Sequence, residues 1–287
     1  MYESEESMAA AEIAERLLFT MREIGPCAVA FSGGVDSAVV ARAAQETFPG
    51  ESVAVTAVSA SLGSDELSTA ESEATQIGIP HRLIRTAEFD RPEYRANAGN
   101  RCFYCKDTLY TAAESILQEV GLTVMVNGAN LDDRGDHRPG MKAADAHQVR
   151  SPLIEASLTK ADVRAVARFW SLSVAEKPAS PCLSSRVAYG VEVTEGRVRM
   201  IESAERFIRT LTGIEVLRVR LEEGELARIE VPVESVGNLM KAESRGKIVE
   251  ELLKLGFRQV TLDLQGFRSG SLNEALPFVS LDVPSES

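Results

Sequence analysis

Apolar positions along the first 170 residues follow two alternating rhythms. Ile13, Leu17, Met21 and Ile24 recur at helical spacing and predict an amphipathic first helix. Residues 27–31 (CAVAF) read as a short buried strand, followed by a glycine loop and a helix to about Phe48. Strands are expected at 52–59, 81–86 and 122–128, with helices at 66–77 and 106–120 between them. Such alternation builds βαβ units, and so a parallel sheet with helices on both faces. Residues 159–170 (TKADVRAVARFW) form a further helix pattern, with Thr159 as N-cap and Asp162 completing a capping-box-like pair.

The rhythm changes after 177–190 (KPASPCLSSRVAYG), a stretch rich in Pro and Ser. A helix near 198–211 carries Val198, Ile201, Ala204, Ile208 and Leu211 on one stripe, and the segments 215–221 and 226–231 alternate as strands. A hairpin with a three-residue loop at 222–224 pairs Leu217 with Ile229 and Val219 with Ala227, and sets Arg218 opposite Arg228. Gly224 supplies its left-handed position. Helices near 233–255 and a strand at 258–264 follow. The expected fold class is therefore α/β: a parallel-sheet domain over 1–180, then a smaller α+β domain over 181–287 that ends in a tail.

Composition narrows the partners. With 287 residues, 44% apolar and 26% charged, the chain has the core of a folded protein and room for two domains. No run approaches the roughly 18 apolar residues of a membrane helix. The acidic start MYESEESMAAAEIAER is unlike a signal peptide, so a cytoplasmic protein is expected. A formal charge of −12 argues against long nucleic acids as partners. Four cysteines in such a chain suggest thiols or ligands before a disulfide framework.

The first candidate for chemistry is AFSGGVDSAVV at 30–40, where the strand becomes a helix. Backbone N–H groups at such a turn make an anion site, and the helix dipole favours negative charge. Gly33 and Gly34 let the backbone approach a phosphate, and Ser32 and Ser37 add hydroxyls. Asp36 makes sense beside a polyphosphate chiefly when a metal ion bridges the two. The loop lacks GxxxxGK[ST], so it is not the common lysine-bearing P-loop. A tight turn with a serine cap would use the same residues without a ligand.

Cysteines supply the second candidate. Cys102 and Cys105 lie in NRCFYCK and Cys182 in PASPCLSSR, whereas Cys27 reads as a buried small residue of the first strand. A CxxC alone fits zinc, a redox pair or coincidence. Three thiolates would leave one open position, which suits a cluster that must take an extra ligand. For zinc, His81, His137 and His147 offer no ligand spacing. Three unrelated thiols remain the simpler alternative.

SGGVDS resembles the signature of the PP-loop ATP pyrophosphatases, an adenine nucleotide alpha hydrolase-like fold. That resemblance implies that Ser32, Gly33, Gly34, Val35, Asp36 and Ser37 hold the pyrophosphate end of ATP, and that Mg²⁺ is required. Together with NRCFYCK, NGANLDDRGDHRPG, RSPLIEASLTKADVR, EKPASPCLSSR and VLRVR, the chain resembles the LarE family over nearly its whole length. These are ATP-dependent sulfur transferases of nickel-pincer nucleotide synthesis. The resemblance implies that a carboxylate of pyridinium-3,5-biscarboxylic acid mononucleotide attacks the α-phosphate of ATP. Sulfur then displaces AMP to leave a thiocarboxylate. One family type sacrifices the sulfur of a single cysteine, here Cys182. Another holds a 4Fe–4S cluster on three cysteines, and the presence of Cys102, Cys105 and Cys182 points to that type.

The resemblance extends to further positions. Asn130 and Asp132 would join the ATP site, near Asp133, Asp136 and Arg138; ordinary Asx capping would use the same residues. Ser185 and Arg186 would grip the substrate phosphate or the adenylate. Arg218 and Arg220 share a strand face with Arg228, and like charges so placed need an anion; the family makes them a phosphate site, with Glu230 as an acidic neighbour or metal contact. A solvated sheet face is the alternative. Sulfide or another sulfur donor and a homohexamer are also implied. A tRNA thiolase with an iron–sulfur cluster is the main rival, and an amide-forming synthetase shares the loop without needing three thiols.

Overall fold

The computed structural model describes residues 5–133, 139–178 and 180–268; Asp136, His137, Arg138 and the expected tail lie outside the described residues. In chain order the first elements are α1 (Glu5–Ile24), β1 (Ala28–Ala30), α2 (Val35–Thr47), β2 (Val53–Val58), α3 (Ser64–Ile77), β3 (His81–Arg85), α4 (Pro92–Arg95), α5 (Arg101–Val120) and β4 (Met125–Val126). Then come α6 (Pro139–Ala146), α7 (Pro152–Glu155), α8 (Lys160–Phe169), α9 (Glu195–Thr212), β5 (Arg218–Glu222), β6 (Leu226–Glu230), α10 (Val236–Met240), α11 (Ala242–Leu255) and β7 (Gln259–Leu262). Contacts divide the chain into one unit of Met1–Ala87 with Cys102–Ser180, and another of Glu88–Arg101 with Pro181–Ser287. The segment Glu88–Arg101 thus groups with the later residues, although the sequence division placed it in the first domain.

In the first unit the sheet order is β3-β2-β1-β4, all parallel. The α/β class expected from the alternation is what the structure has. Strand side chains alternate between two cores. Cys27, Val29 and Phe31 pack with α1, α2 and α8 through residues such as Leu17, Met21, Val39 and Val163. Ala28 and Ala30 face the other way, with Leu109, Tyr110 and Ala113 of α5 and Ala143 of α6. The chain runs outward from β1 to β2 and β3, then crosses to β4 on the far side of β1. Loops after β1 and β4 therefore diverge at a topological switch point, where such sheets bind ligands.

Two boundaries differ from the sequence pattern. Helix α5 begins at Arg101, not Lys106, so the CxxC occupies its first two turns and is not a loop. Strand β4 is only Met125–Val126, because Asn127 turns the chain: its Oδ1 accepts the Ala129 N–H at 2.9 Å. Gly128 then passes so close to α2 that a Cβ there would lie 2.9 Å from the Ser37 nitrogen.

In the second unit β5 and β6 are antiparallel and β7 joins β6 in parallel. The hairpin exists, but its register is displaced by two residues: Val219 pairs with Ile229 and Arg220 with Arg228. An even displacement keeps every side chain on its expected face, so the hydrophobic pattern does not discriminate between the registers. The turn and the charges do. Gly224 and Glu225 both take left-handed backbone, at φ 73° and 57°, and Arg218 pairs across from Glu230 in place of Arg228.

Gly128→Ala should cost about 1–3 kcal/mol of stability, since the added methyl meets the backbone of α2. Gly196→Ala, in open space within α9, should be neutral or slightly stabilising. Thermal melts of the two variants check this contrast, and equal melts would contradict it.

Candidate functional site

Helix α2 starts at Gly34, which is extended and carries no side-chain cap. Gly33 has φ 69°, and Ala70 of α3 packs so close that a Cβ there would meet its backbone at 2.8 Å. Ser37 is buried: its hydroxyl donates to Gly34 O at 3.0 Å and accepts the Ser32 N–H at 3.2 Å. The two serine hydroxyls lie 3.2 Å apart. The loop is thus tied to itself, and the start of a thirteen-residue helix is left without a side-chain cap. Such a helix end attracts anions through its backbone N–H groups and its dipole.

Asp36 stands in the first turn of α2, where the dipole favours a carboxylate. Its Oδ1 accepts from Asn130 Nδ2 at 3.1 Å, and its Oδ2 pairs with Lys160 Nζ. The loop after β4 that carries Asn130 is built by Asx turns. Asn130 N–H donates to Asp133 Oδ2, and Asp132 N–H to Asn130 Oδ1, each at 3.0 Å. Asp132 Oδ2 in turn accepts the Lys160 N–H at 2.9 Å. Capping and contact with Asp36 therefore coexist in this loop. The structure brings Asp36, Asn130 and Asp132 together around Lys160.

Lys160 was not singled out in the sequence. Thr159 accepts the Asp162 N–H at 3.2 Å, and Asp162 accepts the Thr159 N–H at 2.9 Å, a capping box that fixes Lys160 as the first residue of α8. A lysine at a helix N-terminus opposes the dipole. That misfit was the available signal, and the Asp36 carboxylate is its compensation.

The four cysteines are thiols. Cys27 is buried, and burial pushes it up to about 11 against the Ser52 hydrogen bond, so it is inert. Cys102 is exposed and Cys105 half-buried, and three-residue spacing puts both on one face of α5. Cys182 is exposed just before the 3-10 turn Leu183–Arg186. That turn is anchored from below: Ser184 is buried, its hydroxyl 2.8 Å from Tyr94 Oη and its carbonyl accepting from Arg101 Nη1 at 2.8 Å. Among the described residues, no group of three or more His, Cys, Asp or Glu side chains is arranged to hold a metal ion.

The expected phosphate residues divide into two classes. Arg220 and Glu230 are both buried and pair at 2.9 Å, and Arg220 Nη1 also donates to Ser185 O at 3.1 Å. Arg228 is enclosed by Glu222 at 2.7 Å, Glu230 at 2.6 Å and Asp263 at 2.7 Å. Arg186 is buried against Glu205 at 3.2 Å and donates to Cys182 O at 2.9 Å and Ser185 Oγ at 3.2 Å. These are internally neutralised. Arg218 is different. It donates to Leu217 O at 2.8 Å, lies over the Phe267 ring at 5.3 Å, and has no carboxylate in salt-bridge range among the described residues. Burial and the neighbouring Arg186 push its guanidinium down to about 10, with Glu205 acting in the opposite sense. Arg218 is the cation that an incoming anion would relieve.

Comparison with known proteins places this geometry. Residues 13–116 match the asparagine synthase family, and this span includes the glycine loop and most of the parallel sheet. An uncharacterised Synechocystis protein is 41% identical over 254 residues, covering 88% of this chain and 94% of that protein. The pyridinium-3,5-bisthiocarboxylic acid mononucleotide synthase of Lactiplantibacillus plantarum is 33% identical over 261 residues, covering 91% of this chain and 93% of the synthase. The chain belongs to that synthase's family, the LarE family. A Methanocaldococcus jannaschii protein, also uncharacterised, is 24% identical over 241 residues. The PP-loop fold and the use of ATP follow from this membership and the match to the asparagine synthase family.

The two classes of arginine should separate by mutation. Arg220→Ala leaves buried Glu230 short of a partner and should cost about 3 kcal/mol or more. Arg218→Ala should leave the melt nearly unchanged and abolish binding of a phosphate monoester. Lys160→Ala should raise the Michaelis constant for ATP while costing under about 1 kcal/mol, since its ion pair is partly exposed. Calorimetry and thermal melts read all three, and an unstable Arg218→Ala would contradict the division.

Proposed function

We propose that the protein is an ATP-dependent sulfur transferase that converts the carboxylates of pyridinium-3,5-biscarboxylic acid mononucleotide to thiocarboxylates. The observation that carries this reading is the relation to a synthase of the bisthiocarboxylic product along 91% of the chain. Polyphosphate would lie on the uncapped start of α2, with Ser32, Gly33, Gly34, Val35 and Ser37 forming its cradle. Asp36 and Asp132 offer carboxylate oxygens for Mg²⁺, which when bound neutralises phosphate charge. Lys160, paired with Asp36 at the same helix end, would face the phosphates in place of the lysine that this loop lacks.

The chemistry then balances in two displacements. A substrate carboxylate oxygen forms a bond to the α-phosphorus of ATP, and pyrophosphate leaves from the helix end that holds it. A sulfur nucleophile next forms a bond to the acyl carbon, and AMP leaves with the original carboxylate oxygen. Adenylation is needed because a carboxylate oxygen is otherwise a poor leaving group. Arg218 would take the phosphate of the mononucleotide. In this reading Arg186, Arg220 and Glu230 shape that pocket and leave the direct contact to Arg218, with the Ser185 hydroxyl beside it.

For the sulfur source, we propose that Cys102, Cys105 and Cys182 hold a 4Fe–4S cluster. Support comes from donor type: the three thiols are exposed or half-buried, and three thiolates would leave one iron of such a cluster without a protein ligand, although the described side chains are not gathered into a metal-holding group. A bound cluster of this kind supplies an open iron site for added sulfide. The exposure of Cys182 also favours a second reading, in which that thiol alone is consumed. Sulfide or another small donor would be the second substrate, and a cytoplasmic homohexamer completes the proposal. No described helix is long and apolar enough to cross a membrane. A tRNA thiolase is disfavoured by the net charge of −12.

Anaerobic protein reconstituted with iron and sulfide should bind about four irons per chain. Cys102→Ala, Cys105→Ala and Cys182→Ala should each lower that number, and Cys27→Ala should not. With ATP, Mg²⁺, sulfide and the biscarboxylated mononucleotide, product mass should report oxygen-to-sulfur exchange over several turnovers. A single turnover with loss of H₂S from Cys182 and no iron would select the sacrificial reading. No thiocarboxylate under either condition would reject sulfur transfer.

A further inference from the structure

Glu205 lies in the middle of α9 and is 2% exposed. The apolar stripe of that helix is complete without it: Val198, Ile201, Ala204 and Ile208 are all buried. A carboxylate at such a place is costly unless several donors meet it, and an apolar residue of similar size would commonly be neutral or stabilising. Glu205 has its donors. Its Oε1 accepts from Arg186 Nε at 3.2 Å and from the Val219 N–H at 3.1 Å, and its Oε2 accepts from Arg209 Nη2 at 2.9 Å.

Two of these donors belong to the parts that sulfur transfer would need. Arg186 carries its Nη1 to the carbonyls of Pro181 and Cys182, so the backbone at the exposed thiol hangs on this guanidinium. Val219 stands between Arg218 and Arg220 on β5, and its side chain faces the core while the arginines face away from it. One carboxylate thus holds both the turn that carries Cys182 and the strand that carries the anion-seeking Arg218. Glu205 also offsets the repulsion of Arg218 by Arg186, Arg220 and Arg209.

We propose that Glu205 is a positioning residue: through Arg186 on one side and the β5 backbone on the other, it fixes the Cys182 turn against the strand of Arg218. The proposal deepens the sulfur-transfer reading and rests on it for its purpose, but its geometry lies wholly within the second unit.

The test uses the full-length chain and the rate at which iodoacetamide alkylates each cysteine, resolved by peptide mass spectrometry. Glu205→Gln keeps size and shape but removes the charge that holds Arg186. Cys182 alkylation should rise about tenfold, as for other residues that orient a reactive group from behind, while Cys102 is unchanged and the protein remains folded by circular dichroism. Arg186→Lys, which keeps a cation near Glu205 but loses the fork reaching Cys182 O, should give the same rise. The double variant should be no faster than either single one, because both act through one path. A role in stability alone would change both thiols together or neither. An unchanged Cys182 rate in folded Glu205→Gln, or additive effects in the double variant, would overturn the proposal. If Glu205→Gln does not fold, Arg186→Lys decides alone, and an unchanged rate there overturns it. Wild-type protein that makes no thiocarboxylate while Glu205→Gln still frees Cys182 would reject sulfur transfer and leave the coupling standing.

Discussion

Everything at the switch point of the first unit depends on compensating Asp36. A carboxylate that hugs the start of α2 needs partners, and two different loops supply them: Asn130 from the chain after β4, and Lys160 from the start of α8. Each partner is itself fixed by backbone capping, Asn130 within its Asx turn and Lys160 by the Thr159–Asp162 box. Close approach excludes a side chain at Gly128, against the first turn of α2, and at Gly33, against Ala70 of α3. Three segments distant in sequence are thereby held around one anion-attracting helix end. A strand, a loop and a helix alone would give a turn; the convergent charges are what the proposed ATP site rests on.

In the second unit the constraint is the reverse, too many cations. Arg186, Arg209, Arg218, Arg220 and Arg228 share three buried or enclosed acids, Glu205, Glu230 and Asp263, with Glu222 at the edge. Four of the five arginines close ion pairs with these acids. Arg218 is left with a carbonyl and a ring, which hold a cation without neutralising it, so its charge stays open to an anion. Uneven compensation of this kind is what singles out Arg218 for the proposed phosphate contact, more clearly than the identity of the side chains does.

Periodicity made the architecture legible because strands alternating with helices imply a sheet covered on both faces, and the structure sends alternate residues of 27–31 into two cores. Where an error of two residues changes no face, as in the β5–β6 hairpin, the pattern had no power and turn geometry decided. The CxxC helix was missed at its start because residues 102–105 (CFYC) are apolar in an unbroken run and show no helical spacing. The glycine loop was legible because its chemistry is local. Lys160 and Glu205 were not, since each matters through partners 124 and 14 residues away, and Lys160 offered only its misfit with the dipole of α8 as a local signal. Arg186 and Arg220 look like ligand arginines in sequence; only burial shows that their charge is already used.

The central claim is that ATP bound at this helix end activates a carboxylate oxygen of the mononucleotide. It is tested most directly by oxygen transfer. The biscarboxylated substrate, labelled with ¹⁸O in its carboxylates, is turned over with ATP, Mg²⁺ and the sulfur source, and the AMP formed is weighed by mass spectrometry. Attack of the carboxylate on the α-phosphorus places one substrate oxygen in each AMP, and the thiocarboxylate product loses the same oxygen. Labelled AMP in step with product is the result this account predicts. Unlabelled AMP accompanied by thiocarboxylate would contradict it, because sulfur would then enter without an acyl adenylate.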